Sequence, residues 1–148
     1  RLILATTPPT DTARLTSLAT ICYLQARRQW LPYAQATLRY ARQPGADTRT
    51  LRETATYVRY FGKEAGPAQQ QQALRVTAEL LRLLVQREKT ADNLLLQAYT
   101  LQQLRQNAAA AAVAREAATL ARQAGESDEE AQTLLVKLLA DHPSPKKK

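Results

Sequence analysis

Apolar residues recur every three or four positions along most of the chain, which is the period of an α-helix. Short breaks containing Pro, Gly, Asp, Thr or Ser divide this pattern into seven predicted helices. Beyond the first few residues, no segment alternates in the manner of a β-strand. In the sixth helix the apolar positions are alanines. The predicted core positions of the other six helices, given helix by helix in chain order, are Leu15, Leu18, Ile21 and Cys22; Ala34, Leu38 and Ala41; Leu51, Ala55, Val58 and Phe61; Leu74, Leu80, Leu81, Leu84 and Val85; Leu94, Ala98, Leu101 and Leu104; Leu134, Leu135, Leu138 and Leu139.

Capping residues predict where each helix begins and ends. Asp or Thr before an apolar pattern favours a helix N-terminus, and Gly or Pro after it favours a helix C-terminus. The first helix is expected to run to about Gln29. The predicted boundary residues are Asp11 or Thr12 for the first helix, Pro32 and Gly45 for the second, Asp47 and Gly62 for the third, Pro67 for the fourth, Thr90 for the fifth, Asn107 and Gly125 for the sixth, and a Ser127–Glu130 capping box with Pro143 for the seventh.

The composition agrees with an all-α fold. The 148 residues suffice for one domain, and Ala, Leu, Gln and Arg, which favour helices, are abundant whereas Val and Ile are scarce. Cys22 is the only cysteine, so an internal disulfide is excluded, and we expect it to be a small buried residue. With one histidine, His142, a metal site is not expected. No apolar run is long enough to span a membrane.

Two segments of the chain resemble copies of one helical hairpin. "CYLQARRQWLPYAQATLRYARQPG" begins at Cys22, and "AYTLQQLRQNAAAAAVAREAATLARQAG" begins 76 positions later. A shift of half that size places Tyr23 on Phe61, inside the third helix. Three hairpins with a period near 38 residues are therefore the simplest interpretation. At the full shift the coinciding pairs are Leu18 and Leu94, Cys22 and Ala98, Tyr23 and Tyr99, Ala34 and Ala110, and Ala41 and Ala117.

The small residues of both copies lie 12 and then 7 positions apart. Twelve positions cross the turn to the same level of the partner helix, and seven are two turns along one face, where short side chains allow close approach. This spacing resembles the tetratricopeptide repeat. The resemblance covers about residues 15–125. The middle copy departs from it, with Tyr60, Gln72 and Glu79 at the small positions, and the period exceeds the family's usual ~34 residues.

The resemblance implies an all-α fold of antiparallel helical hairpins, stacked as a right-handed superhelical array. The alanine-rich helix would then lie between its own partner and the helix of the next unit. Another antiparallel helical array, or a helical bundle in which the alanines reflect helix propensity alone, remains open. The implied organisation is an N-terminal extension (1–10), a repeat domain (11–140) with hairpins at about 11–45, 47–89 and 90–125 and a capping helix at 127–140, and a basic tail (141–148).

In such arrays the first helix of each repeat lines a concave groove that binds peptides. The aligned first helices carry aromatic residues at equivalent points, with polar residues one turn away. Aromatic rings with a polar edge suit peptide contact, although the same tyrosines could instead form the hairpin core. The candidate groove residues are Tyr23, Arg27, Tyr57, Phe61, Tyr99 and Gln103.

The net charge of +8 is unevenly distributed. Residues 1–63 carry ten basic and three acidic residues, whereas residues 64–148 carry eleven and ten. The basic half favours an anionic partner, or it is simply an arginine-rich solvated surface.

We therefore expect a non-catalytic interaction module or scaffold that binds a peptide or partner protein, acidic in character, without cofactor or metal. The alternative is an RNA-binding helical-repeat protein using the basic half, where Trp30, Tyr33 and Tyr40 lie among arginines. No Gly-rich phosphate loop, paired carboxylates or His-based site favours an enzyme. The chain starts at Arg1 and lacks methionine, which is expected of a processed chain or a fragment. We expect a soluble protein of the cytoplasm or the periplasm.

Overall fold

The chain's structure, a computed structural model, describes residues 9–141, with the side chains of 11–141. This part consists of α-helices, one 3-10 helix and short turns, without a β-strand, which confirms the all-α prediction. The helices are α1 (Pro9–Ala26), α2 (Trp30–Ala41), α3 (Thr48–Phe61), α4 (Pro67–Arg87), α5 (Ala91–Gln103), α6 (Asn107–Gln123) and α7 (Glu129–Ala140), and the 3-10 helix η1 is Gly62–Ala65.

The chain divides into two compact units, the first ending at Leu80 and the second beginning at Leu81, inside α4. In the first unit α2 packs against α1 and α3, and η1 packs against α2 and α3. In the second unit α6 packs against α5 and α7. The alanine-rich helix thus lies between two neighbours, as predicted. The superhelical array of three hairpins, with the boundaries given above, stays a prediction.

Alanine side chains make up the whole buried face of α6. Because methyl groups take little space, the backbones of the neighbouring helices can approach it closely. The bulky apolar side chains of this core come from α5 and α7, which contribute leucines such as Leu94, Leu134 and Leu138. The buried residues of α6 are Ala110, Ala111, Ala114, Ala117, Ala118 and Ala121.

The α1–α2 and α5–α6 turns share one backbone geometry. Arg28 and Arg105 adopt left-handed φ angles of 54° and 60°. In each turn the amide of the next residue donates to the carbonyl oxygen five positions before it, at 3.0 and 2.9 Å. This is the Schellman helix end, usually made with glycine, and it stops α1 at Ala26 rather than at the predicted Gln29. The two arginines lie 77 positions apart, so equivalent residues of the two hairpins are related by 77 and not by 76.

This register corrects the sequence alignment. A shift of one residue rotates a helix position by about 100°, so the 76-residue shift pairs the exposed Cys22 with a buried residue, although its alanine pairs in α2 and α6 are buried at both positions. Cys22 is exposed, whereas Ala98 is fully buried and corresponds to the buried Ile21. The prediction that Cys22 is buried is therefore wrong. At 77 positions the buried pairs in α2 and α6 are Tyr33 and Ala110, Ala34 and Ala111, Thr37 and Ala114, Tyr40 and Ala117, and Ala41 and Ala118.

Two predicted N-caps are confirmed by side-chain hydrogen bonds. Asp47 accepts from the amide of Thr50 at 2.9 Å and caps α3. Thr90 accepts from the amide of Asn93 at 3.2 Å and caps α5. Gly125, with a φ of 71°, follows the end of α6 as predicted. A helix N-cap can thus be predicted from the sequence where an Asp or Thr directly precedes the apolar helical pattern.

Other predicted boundaries are wrong. The N-cap at Asp11 or Thr12 fails because α1 already begins at Pro9. Asn107 is the first helical residue of α6 and not its cap. The capping box of α7 does not form, since the carboxylate of Glu130 accepts instead from a tyrosine hydroxyl of α5. The expected stop at Pro143, like most of the extension and tail, lies outside the described residues.

Most of the predicted core residues are at least partly buried, but some are exposed. Besides Cys22, the exposed ones are Leu15, Phe61 and Leu139. The helical period predicts which residues share a face, but it does not show whether a neighbouring element covers each turn of that face. Three of these exposed residues, Cys22, Phe61 and Leu139, line the surfaces described below.

Candidate functional site

An open pocket of about 390 Å³ lies in the first unit, between the end of α1, the start of α2 and the end of α3. Its wall is mostly apolar and aromatic, and one amide and one guanidinium supply the long polar side chains. We call it the aromatic pocket. Its lining residues are Cys22, Gln25, Ala26, Arg28, Trp30, Tyr57 and Phe61.

Three stacked rings form one side of the aromatic pocket. Tyr57 and Phe61 lie four positions apart on α3, which places them on one helix face. The Trp30 ring stacks on both, with centroid distances of 6.3 Å to Tyr57 and 5.7 Å to Phe61. Trp30 is only 2% exposed, whereas Phe61 is 37% exposed. The stack therefore runs from the core of the unit to its surface.

An ion pair holds this stack in place. The guanidinium of Arg28 lies over the rings of Trp30 and Phe61, 5.6 and 5.1 Å from their centroids. Its Nε and Nη2 both donate to the carboxylate of Glu64 in η1, with 2.8 Å between Nε and Oε2. The indole Nε1 of Trp30 donates to the same Oε2 at 3.0 Å. The hydrogen bonds from Arg28, followed by that from Trp30, lower the pKa of Glu64 to about 2.

The backbone explains why Arg28 can do this. Its left-handed conformation ends α1 and turns the chain so that Arg28 and Trp30 both line the pocket. A bidentate guanidinium–carboxylate pair fixes two planar groups relative to each other. The wall is thus organised in the free protein, before any ligand binds.

Four of the six predicted groove residues belong to the first unit, at or near the aromatic pocket. Tyr57 and Phe61 line it. Tyr23 is 61% exposed and adjoins the lining residue Cys22. Arg27 is exposed between two lining residues and, within the described part of the chain, its side chain has no hydrogen-bond or ion-pair partner.

The other two predicted residues belong to the second unit. The hydroxyl of Tyr99 donates to Glu130 at 2.8 Å, and Tyr99 lines a separate cleft with Ser127, Glu129, Glu130 and Thr133. Gln103 is half-buried. The carboxylates beside Tyr99 would repel the acidic ligand expected from the sequence.

Sequence reasoning missed the three residues that order the aromatic wall, namely Trp30 and Arg28, which line the pocket, and Glu64, which accepts hydrogen bonds from both. From the sequence, Trp30 is a candidate only for RNA binding. Tyr57 and Phe61, which stack on it, lie four positions apart, and this spacing is the sequence signal for an aromatic helix face. The left-handed conformation of Arg28 has no sequence signal, since glycine normally occupies that position. Glu64 falls in a segment that was predicted to be a plain break between helices.

The carboxylates in the described part of the first unit are all engaged internally. Arg27, Arg39 and Arg75 have no side-chain partner there. The surface of this unit is consequently basic, with its acids already neutralised. The pairs are Asp11 with Arg14, Asp47 with Tyr40 and Thr50, Glu53 with Arg49, Glu64 with Arg28 and Trp30, and Glu79 with Arg42.

No protein-family model, curated protein or solved structure matches this chain. Among residues 9–141, no helix is long and apolar enough to cross a membrane. In the same range, no group of three His, Cys, Asp or Glu side chains could hold a metal ion.

Proposed function

We propose that this chain is a non-catalytic protein-interaction module whose first unit binds a peptide segment of a partner protein in the aromatic pocket. The observation that carries this proposal is the pre-assembled stack of Trp30, Tyr57 and Phe61, which reaches the surface in an open pocket. On this proposal the module is a tetratricopeptide-like scaffold, and it needs no cofactor.

Aromatic side chains dominate the energetics of protein interfaces because they bury a large area for few rotatable bonds. A wall that is already ordered costs little conformational entropy when the ligand binds. The pocket is large enough for one apolar side chain, and the amide of Gln25 offers a hydrogen bond to a peptide backbone.

The charges around the pocket predict the flanks of the ligand. Arg28 is occupied by Glu64 and contributes mainly its flat face. Arg27 lies beside the pocket with its guanidinium available. We therefore expect an apolar or aromatic anchor residue with a carboxylate close to it in sequence.

The test is affinity selection of a random peptide library on the whole chain, followed by binding measurements with variants. Ala26→Phe fills the pocket from an exposed lining position. Ala13→Phe is the matched control, because Ala13 is an exposed alanine of the same helix outside the pocket. We expect selected peptides to carry an apolar anchor and an acid, and to lose at least roughly tenfold in affinity for Ala26→Phe alone.

If both variants lose affinity equally, or if neither variant loses affinity, the aromatic pocket is not the binding site. RNA is the alternative ligand, because the basic surface also presents the exposed Tyr60 with the Arg59 guanidinium 5.0 Å from its centroid. Poly-U binding with a steep log–log dependence on salt, without any peptide binding, would replace the proposal.

A further inference from the structure

A groove runs along the seam of α6 and α7 in the second unit. It consists of two adjacent pockets of about 460 and 330 Å³ that share the lining residues Arg115 and Leu139. The start of α6 lines it beside the end of α7, and the end of α6 lines it beside the start of α7, so the two helices are antiparallel along the groove. The α6 side spans residues 107–122, or roughly 22 Å. This surface is called the α6–α7 groove.

The α7 side of the groove is an apolar ridge. Leu135, Val136 and Leu139 follow one another at helical spacing, and the last two are 69% and 56% exposed. Side chains this apolar and this exposed gain free energy when a partner covers them.

The α6 side of the groove carries positive charge. Arg115 and Arg122 lie seven positions apart, which puts them on one face roughly 10.5 Å from each other along the helix. No carboxylate lines either pocket. Arg122 is paired with Asp128 at 2.7 Å, whereas Arg115 has no side-chain partner among the described residues. Within the same unit, the cleft at Tyr99 is lined by carboxylates, so the two surfaces differ in charge.

We propose that the α6–α7 groove binds one amphipathic helix of a partner protein, with acidic residues along the edge that faces α6. A long groove between two antiparallel helices accepts a third helix by ordinary ridge-and-groove packing. The apolar face of the ligand covers the ridge on α7, and its carboxylates face Arg115, whose guanidinium has no side-chain partner among the described residues. This second surface lies in a different unit from the aromatic pocket and does not depend on it.

The test uses the whole chain and synthetic helical peptides followed by fluorescence anisotropy. One peptide has leucines at positions i, i+3, i+4 and i+7 flanked by glutamates, and a second has lysines in place of the glutamates. Leu139→Asp should weaken binding of the glutamate peptide at least roughly tenfold, because a charge replaces an apolar contact. Arg115→Glu should weaken the glutamate peptide and strengthen the lysine peptide.

Two controls keep the outcome interpretable. Lys137→Glu makes the same change of charge on α7 outside the groove lining and should leave binding within about twofold. Ala26→Phe should also bind the glutamate peptide normally, which separates this proposal from the aromatic pocket. The altered residues are exposed, and circular dichroism will verify the fold of each variant.

Several results would overturn the proposal. Wild-type protein could bind both peptides equally, or Leu139→Asp could bind as well as the wild type. Self-association abolished by Leu139→Asp would make the occupant a second copy of this chain. Binding to anionic lipid vesicles, with no binding of the glutamate peptide, would make it a lipid surface.

Discussion

At the residue scale, two arginines adopt a backbone conformation that usually belongs to glycine. A left-handed residue with a side chain costs about 1–2 kcal/mol, and at Arg28 the side chain offsets this cost by joining Glu64 to the aromatic stack. At Arg105 no side-chain partner offsets it among the described residues. The same turn therefore positions side chains of the candidate site in one unit, and it only reverses the chain in the other.

Arg105→Gly should stabilise the protein by about 0.5–1 kcal/mol, because glycine removes the steric strain and gives back part of the gain through its greater unfolded-state entropy. Arg28→Gly is the matched comparison, and it should not stabilise, since it also removes the ion pair with Glu64. Chemical denaturation of both variants measures this. A loss of stability in Arg105→Gly would mean that this side chain has a structural role.

Glu64 makes stability depend on pH in the acid range. Its pKa falls from an ordinary 4.5 to about 2 on folding, so its contribution is complete above 4.5 and disappears as the pH falls toward 2. Glu64→Gln should lower the Tm near neutral pH, and the difference from the wild type should shrink as the pH decreases through this window. A difference in Tm that stays constant from pH 7 to the acid range would show that the carboxylate charge is not what stabilises the turn.

At the element scale, α6 shows what a helix without bulky side chains can do. Its alanines let the backbone of α6 lie close to both α5 and α7, while leucines from those helices fill the remaining core. The alanine run therefore allows α6 to pack closely against a helix on each of two sides.

Ala110→Leu or Ala117→Leu should destabilise the protein by roughly 1–3 kcal/mol, because both positions are fully buried and have no space for a larger side chain. Ala112→Leu is the matched control on the same helix, where the side chain is exposed and the change should be close to neutral. The free energy of unfolding from urea titration gives both values. Equal effects at buried and exposed positions would contradict the packing described for α6.

The positions of the helices along the chain are largely predictable from the sequence. Which face of each helix is buried is less predictable, because it depends on the register between the hairpins. The helical period, together with Asp47 and Thr90, located most helices, because these signals act within one or two turns. The register between hairpins failed by one residue, because the aligned tyrosines Tyr23 and Tyr99 suggested an equivalence that the turn at Arg28 does not support. Of the seven residues that line the aromatic pocket, only Tyr57 and Phe61 are predicted site residues, because they share a helix face whereas their contact with Trp30 depends on tertiary packing.

At the scale of the whole molecule, the charges differ between the two units. The described part of the first unit has engaged carboxylates, three arginines without a side-chain partner and an aromatic pocket, and the second unit has an acidic cleft and a groove lined by arginines. These features are the basis for the proposal of an interaction module with two chemically distinct surfaces.

The most direct measurement of the central claim uses Trp30, the only tryptophan of the chain, as a reporter inside the aromatic pocket. A peptide selected on the whole chain is titrated while the emission of Trp30 and the peptide's anisotropy are recorded together. We predict a saturable change in Trp30 emission that follows the anisotropy curve and is absent in Ala26→Phe. Saturable anisotropy with unchanged Trp30 emission would place the peptide elsewhere and contradict the account.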